Sequence, residues 1–150
     1  MIDRFERFSL SISEISRYWH KLAAEELDKY GLKGPHAIYL TTMIKYPEGI
    51  TVPDLCEACS KDKSDASRML SILEQKGLVR KEAVGGSHYR GKVLLTDEGR
   101  RAAVQVCSRA SRAVEAAGKD LTDKERENLY KALESITENL RILCKAGIPE

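Results

Sequence analysis

Apolar residues recur at spacings of three and four over most of this chain, and each run predicts a helix. Near the N-terminus Phe5, Phe8, Ile12, Ile15, Trp19 and Leu22 form one long stripe, which Leu27 extends. Arg4, Arg7, Ser13, Lys21 and Glu25 lie opposite it. The pattern predicts an amphipathic helix from near Asp3 to Tyr30, stopped by Gly31. A second helix is expected from Gly34-Pro35 to about Tyr46, with Ile38, Leu40, Met43 and Ile44 on its apolar side. Pro47-Glu48-Gly49 reads as a turn, and Ile50 as a short strand.

From Thr51 to Gly99 the pattern changes its period several times. Thr51, Pro53 and Asp54 carry the signals of a helix start. A short helix with Leu55, Cys56 and Cys59 on its apolar side follows. Asp62 is placed to cap the next helix, about Lys63 to Lys76, with Asp65 near its positive end. There Ala66, Met69, Leu70 and Leu73 share one face, while Lys63, Ser64, Ser67, Arg68 and Ser71 share the other. Gly77 ends that helix. Two β-prone runs, Leu78–Val84 and Tyr89–Leu95, flank Gly85-Gly86, a strong hairpin signal. Thr96, followed by two acids, starts a further helix that reaches Ala117. The order is helix, tight turn, helix, hairpin, helix.

Beyond Gly118, Thr122 and Glu125 form a capping box. The final helix carries Leu129, Leu133, Ile136, Leu140 and Leu143 at alternating four and three, a stripe suited to packing against another helix. The alanine-rich helix before it, with Val104, Cys107, Ala110, Val114 and Ala117 on one side, can approach a neighbour closely. The first helix has too long an apolar face for one small domain to cover, which predicts a second subunit.

The 150 residues suffice for one domain with a real core. Charged residues make up 32% and apolar ones 42%, ordinary for a helix-rich protein. No apolar run approaches a membrane span. Met1-Ile2-Asp3-Arg4 does not open a secretory signal, so a cytoplasmic location is expected. Net charge is only +2, but it is unevenly spread. Between Lys61 and Lys92 eight cations face four anions, giving +4 there and −2 elsewhere. A locally basic segment on a mildly acidic body suits a phosphate-facing surface.

The exposed face of the helix from Lys63 is small, hydroxylated and basic. Such residues let a helix approach a base-pair edge, with serine bonding to several bases and arginine clamping guanine or phosphate. That is the composition of a recognition helix. Its bland alternative is an ordinary solvated face, and the hairpin directly behind it favours DNA. Cys56 and Cys59 form a Cys-X-X-Cys, but no second ligand pair stands at a partner spacing, so core packing is expected over zinc or redox chemistry. His20, His36 and His88 are isolated, and no phosphate loop, nucleophile elbow or His-Glu-X-X-His occurs. No catalytic residues, cofactor or metal are therefore assigned, and an enzyme is not expected.

Leu55, Lys63-Ser64, Ser67-Arg68, Leu73-Glu74, Gly77-Leu78-Val79 and Leu95-Thr96-Asp97-Glu98-Gly99, in this order and spacing, resemble the multiple antibiotic resistance regulator (MarR) family of winged helix-turn-helix transcription factors. Gly31-Leu32 and Leu121-Thr122 with Glu125 extend the resemblance to the flanks. The resemblance implies a mostly α fold with a small β-hairpin wing. Residues 35–99 would form the winged helix-turn-helix, and 1–34 with 100–150 the dimerisation helices of a single domain. It further implies a homodimer on double-stranded DNA and, as often in the family, a cleft for a small aromatic or anionic effector. Two recognition helices in successive major grooves predict a pseudo-palindromic operator; a repressor released by that effector is the expected mode, with an activator and a protein without effector left open. The DNA-binding residues would be Lys63, Ser64, Ser67, Arg68 and Ser71 on the helix, with His88, Arg90 and Lys92 on the wing. Family wings commonly carry an Asp-X-Arg pair. Here the tip is Ser87-His88-Tyr89-Arg90, without the aspartate, leaving Arg90 or His88 for that contact. The effector cleft would lie between the first, second and fifth helices, lined by Trp19, His20, His36 and Tyr39, with Arg17 attracting an anion. For each of these residues alone, core or interface packing is the simpler role. Peroxide-sensing relatives carry their reactive cysteine in the first helix, which has none here. The alternative is a winged helix that contacts protein and never meets DNA.

Overall fold

The computed structural model describes the backbone of residues 2–84 and 87–150, and the side chains of residues 3–83 and 91–150. The Gly85-Gly86 turn and the side chains of His88 and Arg90 lie outside the described residues. The chain divides into two compact units, Met1–Ser111 and Arg112–Glu150.

In the first unit, α1 runs Ile2–Leu27 and tightens into a 3-10 turn, Asp28–Tyr30. Gly31 ends it in the left-handed region, φ 67°. The expected second helix splits in two. A 3-10 turn at Gly34–His36 precedes α2, Ala37–Met43. Pro35 cannot donate a backbone hydrogen bond, so a tight first turn there leaves little unsatisfied.

The strand β1, Ile50–Thr51, is two residues long and leads into α3, Val52–Cys59. Thr51 Oγ1 accepts the Asp54 N–H at 3.3 Å, the cap expected of it. A three-residue turn links α3 to α4, Lys63–Gln75. Ser60 takes the left-handed region there, φ 52°. Asp62 accepts the Asp65 N–H at 2.7 Å and so caps α4.

The hairpin strands are β2, Val79–Val84, and β3, Ser87–Leu95, paired antiparallel. A register shift between Glu82 and Val84 marks a bulge. β1 adds to the outer side of β3, with Ile50 opposite Val93 and Thr51 opposite Lys92, so the sheet order is β1-β3-β2. The wing is thus tied to the base of α3 by backbone bonding.

α5, Asp97–Ala117, starts at Thr96, whose hydroxyl accepts the Gly99 N–H at 3.0 Å and donates to the Gly77 carbonyl at 2.6 Å. One side chain therefore joins the end of α4 to the start of α5. Gly99 has no alternative residue here. A Cβ on it would stand 1.9 Å from the Leu78 carbonyl oxygen.

The core gathers Leu27, Leu40, Met43, Leu55, Leu70, Leu73, Leu78, Val93, Ala102 and Val106. The alanines of α5 act as expected: Ala102 and Ala103 are wholly buried, so the helix sits close against its neighbours. Cys59 belongs to this core at 1% exposure, while Cys56 packs half-buried beside it. Burial also pushes the Cys59 thiol above its ordinary value, which holds it as a small apolar filler.

The second unit is built around α6, Asp123–Ala146. Both bonds of its capping box form: Glu125 N–H to Thr122 Oγ1 at 3.2 Å, and Thr122 N–H to Glu125 Oε2 at 2.8 Å. Those bonds hold the exposed Glu125 carboxyl below its ordinary range. Arg126 reaches Glu115 at 3.0 Å and the Gly118 carbonyl at 2.9 Å, bracing the turn before the helix. Among the described residues no helix is long and apolar enough to cross a membrane.

Candidate nucleic-acid interface

The geometry of the site starts from what α4 buries. Ala66, Leu70 and Leu73 are 0–2% exposed and Met69 is partly covered, so one face of the helix is locked into the core. At 100° per residue the opposite face must then point away. It carries Lys63, Ser64, Ser67, Arg68 and Ser71, and every one of them is exposed. The five residues singled out on this helix are brought together on one open surface. Because Asp62 satisfies the Asp65 N–H, the first turn is fixed and Lys63 and Ser64 project from a firm start.

The basic segment is partly self-neutralised. Arg80 pairs with Glu82 at 3.2 Å and Lys81 with Glu74 at 3.5 Å, all four being well exposed. Exposed pairs of this kind contribute little and exchange readily with a phosphate. Lys92, half-buried on β3 opposite Thr51 and Glu82, sits at the root of the wing.

Sequence pattern assigned Asp65 only a helix-end role. The structure gives it three partners' worth of work. Its N–H is capped by Asp62, its Oδ2 accepts the Tyr39 hydroxyl, and its Oδ1 meets Arg68 Nη2 at 3.4 Å. Tyr39 is wholly buried, and burial with the Asp65 carboxylate raises its phenol well above the ordinary value. Nothing in the local pattern signals a partnership across 26 positions of chain.

The residues considered for an effector cleft fall into two groups. Arg17, Trp19 and His20 lie on the exposed part of α1. Arg17 stacks over the Tyr18 ring, 4.9 Å from its centre, and Nη2 donates to its hydroxyl at 3.1 Å. His20 Nδ1 stands 3.5 Å from Ser16 Oγ. His36 and Tyr39 are buried in the body of the first unit. His36 Nδ1 accepts the Lys33 N–H at 2.8 Å, which places the proton of the neutral ring on Nε2. That Nε2 is buried without a partner among the described residues.

One buried charge escaped the sequence pattern. Glu26 is 2% exposed and is met by Lys29 at 3.0 Å and by Arg109 at 3.2 Å. It stands four residues after Leu22, so it continues the apolar stripe, and its partner three residues on was the available signal. Among the described residues no cluster of three or more metal-ligating side chains occurs.

The MarR family model matches residues 30–88, which hold α2, α3, α4, β2 and the first residues of β3. A MarR transcriptional regulator from Methanosarcina mazei Go1 is similar in structure, with TM-score 0.79 and 23% identity, over 91% of this chain and 99% of that one. S. aureus MepR, solved as a DNA complex, matches with TM-score 0.79 and 19% identity, over 89% of this chain and 96% of that one. CouR from Rhodococcus jostii RHA1, solved with p-coumaroyl-CoA, matches with TM-score 0.74 and 19% identity, over 86% and 90%. At these identities the likeness is one of fold. No curated protein matches the chain. The expected class, mostly α with a small hairpin wing, is the one found.

Proposed function

We propose that this chain, whose residues 30–88 match the MarR family model, is a winged-helix transcriptional regulator that binds double-stranded DNA as a homodimer. The observation that carries the reading is the division of α4: an apolar face locked in the core and a Lys-Ser-Ser-Arg-Ser face wholly exposed. Lys63, Ser64, Ser67, Arg68 and Ser71 enter the major groove, while Lys92, Arg90 and His88 track the backbone or the minor groove beside it. MepR, a neighbour in fold, was solved on DNA, which supports DNA as the partner.

The homodimer rests on unfilled apolar area. On α1, Phe5, Phe8, Ile12, Ile15, Trp19 and Leu22 are all at least 40% exposed, and on α6 Leu129, Leu133, Ile136 and Leu140 are exposed as well. Runs this long are rarely left to water in a monomer. A second copy related by a two-fold axis covers them and presents two α4 helices one helical turn apart, about 34–36 Å. The operator is then a pseudo-palindrome, and regulation is by repression. A small aromatic or anionic effector shifts the spacing of the two readers; that CouR, a neighbour in fold, was solved with p-coumaroyl-CoA supports a small-molecule ligand. The effector cleft draws on Arg17, Trp19 and His20 on the exposed part of α1, while His36 and Tyr39 are buried and do not open onto the surface.

Selection of bound sequences from random duplex DNA tests this. The expected product is a pair of inverted half-sites whose centres lie about 10 base pairs apart. Failure to enrich any duplex would remove the DNA-binding reading, and enrichment of single, unpaired half-sites would remove the dimer.

A further inference from the structure

The Tyr39–Asp65–Arg68 chain presents a puzzle that the reading above does not resolve. Asp65 is an acid on the first turn of the helix offered to DNA, where a carboxylate repels phosphate. It is 27% exposed, and Arg68, its one cationic contact among the described residues, is 71% exposed. An isolated pair of that kind holds nothing in place, because screening and side-chain entropy cancel its attraction. What sets this one apart is its underside. The carboxylate oxygen turned inward, Oδ2, accepts a hydroxyl from Tyr39 on α2, a side chain with no exposure at all. The aspartate is therefore anchored from the core, and only Oδ1 is left for Arg68.

We propose that Tyr39 is a positioning residue for DNA reading: through Asp65 it holds the Arg68 guanidinium in one orientation over α4. This rests on the DNA-binding reading of that helix. A guanidinium restrained through Nη2 keeps its other N–H groups free and aimed outward. Bidentate clamping of guanine needs such a fixed fork, whereas a phosphate accepts an arginine from many directions. Pre-ordering the side chain removes part of the entropy lost on binding, so the gain falls on the specific complex. Asp65 adds to the same end by weakening loose attachment to any phosphate backbone. Tyr39 thus favours the operator over other DNA without touching either.

The test compares the wild type with Tyr39→Phe, Arg68→Ala, the double variant and Asp65→Asn. Each is titrated by fluorescence anisotropy against the selected operator and against a random duplex of equal length. Tyr39→Phe is expected to weaken operator binding by about fivefold, the scale of one hydrogen bond, and to leave the random duplex unchanged. In the Arg68→Ala background the same substitution is expected to have no further effect, since its route to DNA is gone. Asp65→Asn keeps an acceptor for Tyr39 but loosens Arg68. It is expected to leave random-duplex binding unchanged or tighter and to lower the operator-to-random ratio. A loss from Tyr39→Phe that persists in the Arg68→Ala background, or that falls equally on both duplexes, assigns Tyr39 a merely structural role and overturns the proposal. An unchanged ratio for Asp65→Asn also overturns it, and that arm stands even if Tyr39→Phe fails to fold. If the wild type itself retains neither duplex, the DNA-binding reading fails and this inference with it. If the wild type discriminates and the variants match it, only the inference fails.

Discussion

Arg109 on α5 places Nη1 3.2 Å from Oε2 of Glu26, an almost fully buried carboxylate near the end of α1 and 83 residues away in the chain. The same guanidinium reaches Glu25 at 3.5 Å with its other nitrogen, so one side chain forks across two acids. Lys29 Nζ stands 3.0 Å from both carboxylate oxygens of Glu26. Both cationic heads are more than a third exposed, so water screens the Coulomb attraction and the larger part of the stabilisation comes from satisfying a carboxylate already removed from water. Arg109→Ala is expected to cost about 1–3 kcal/mol in urea unfolding. Arg109→Lys should recover only part of it, because an ammonium cannot fork. A neutral Arg109→Ala would show that Lys29 alone suffices.

Ser60 occupies a backbone region that costs an L-residue about 1–2 kcal/mol. Glycine relieves that strain but loses more freedom on folding. Ser60→Gly is expected to raise stability by a few tenths to about 1 kcal/mol, visible as a higher melting temperature. Ser60→Val, β-branched, should lower it. The reverse order would mean that the turn between α3 and α4 relaxes in solution.

Gly99 is the point where α5 meets the end of α4. Since the atom a Cβ would strike is backbone, the Leu78 carbonyl that accepts the Thr96 N–H at 3.0 Å, no side chain can move aside. Gly99→Ala is expected to cost about 1–3 kcal/mol or more by chemical denaturation. Thr96→Val, which removes both hydroxyl bonds at this junction, should cost about 0.5–2 kcal/mol. A fully stable Gly99→Ala protein would place the two segments farther apart than described.

His36 makes stability depend on pH in a stated direction. Burial holds its imidazole below the ordinary value of 6.5, with the Lys33 charge acting the same way and the Lys33 backbone bond and Asp65 acting against it. The unfolded chain therefore takes up this proton before the folded one does. Stability is unaffected well above 6.5 and declines as pH falls through 6.5 toward the lowered folded value. Urea midpoints taken near neutrality and about one to two units below it should fall less for His36→Asn than for the wild type. Equal falls would assign the acid sensitivity to other groups.

The wing is tested by salt. If Arg90 meets a phosphate, Arg90→Ala should lower the slope of log affinity against log salt by about 0.9 for each wing engaged. An unchanged slope would mean that Arg90 does not face the backbone, and the same experiment on Lys92→Ala would show whether the root of the wing takes its place.

Local chemistry made much of this fold readable. Thr51, Asp62 and Thr122 were recognisable as caps because a cap and its acceptor lie within three residues, and each makes its expected bond. The two faces of α4 followed from helical period alone, and Ala66, Leu70 and Leu73 are buried as their spacing required. The break of the second helix into a 3-10 turn and α2 was less legible. Pro35 marks its start in either geometry, and Gly34 lies against α1, where a Cβ would come within 2.7 Å of the His20 carbonyl oxygen, a close approach that no local pattern announces.

The amino-acid order alone determined the elements, their ends and the face each helix offers, since all three depend on neighbours a few residues apart. The tertiary structure decided which distant polar groups meet. Asp65 read as a helix-end acid and is instead the link between a buried tyrosine and an exposed arginine. Glu26 continued an apolar stripe and is instead a buried ion held by Arg109. Such pairings carry no period and no local signature. A carboxylate withdrawn from water must find a donor, but which donor lies within reach is settled only when the helices have packed.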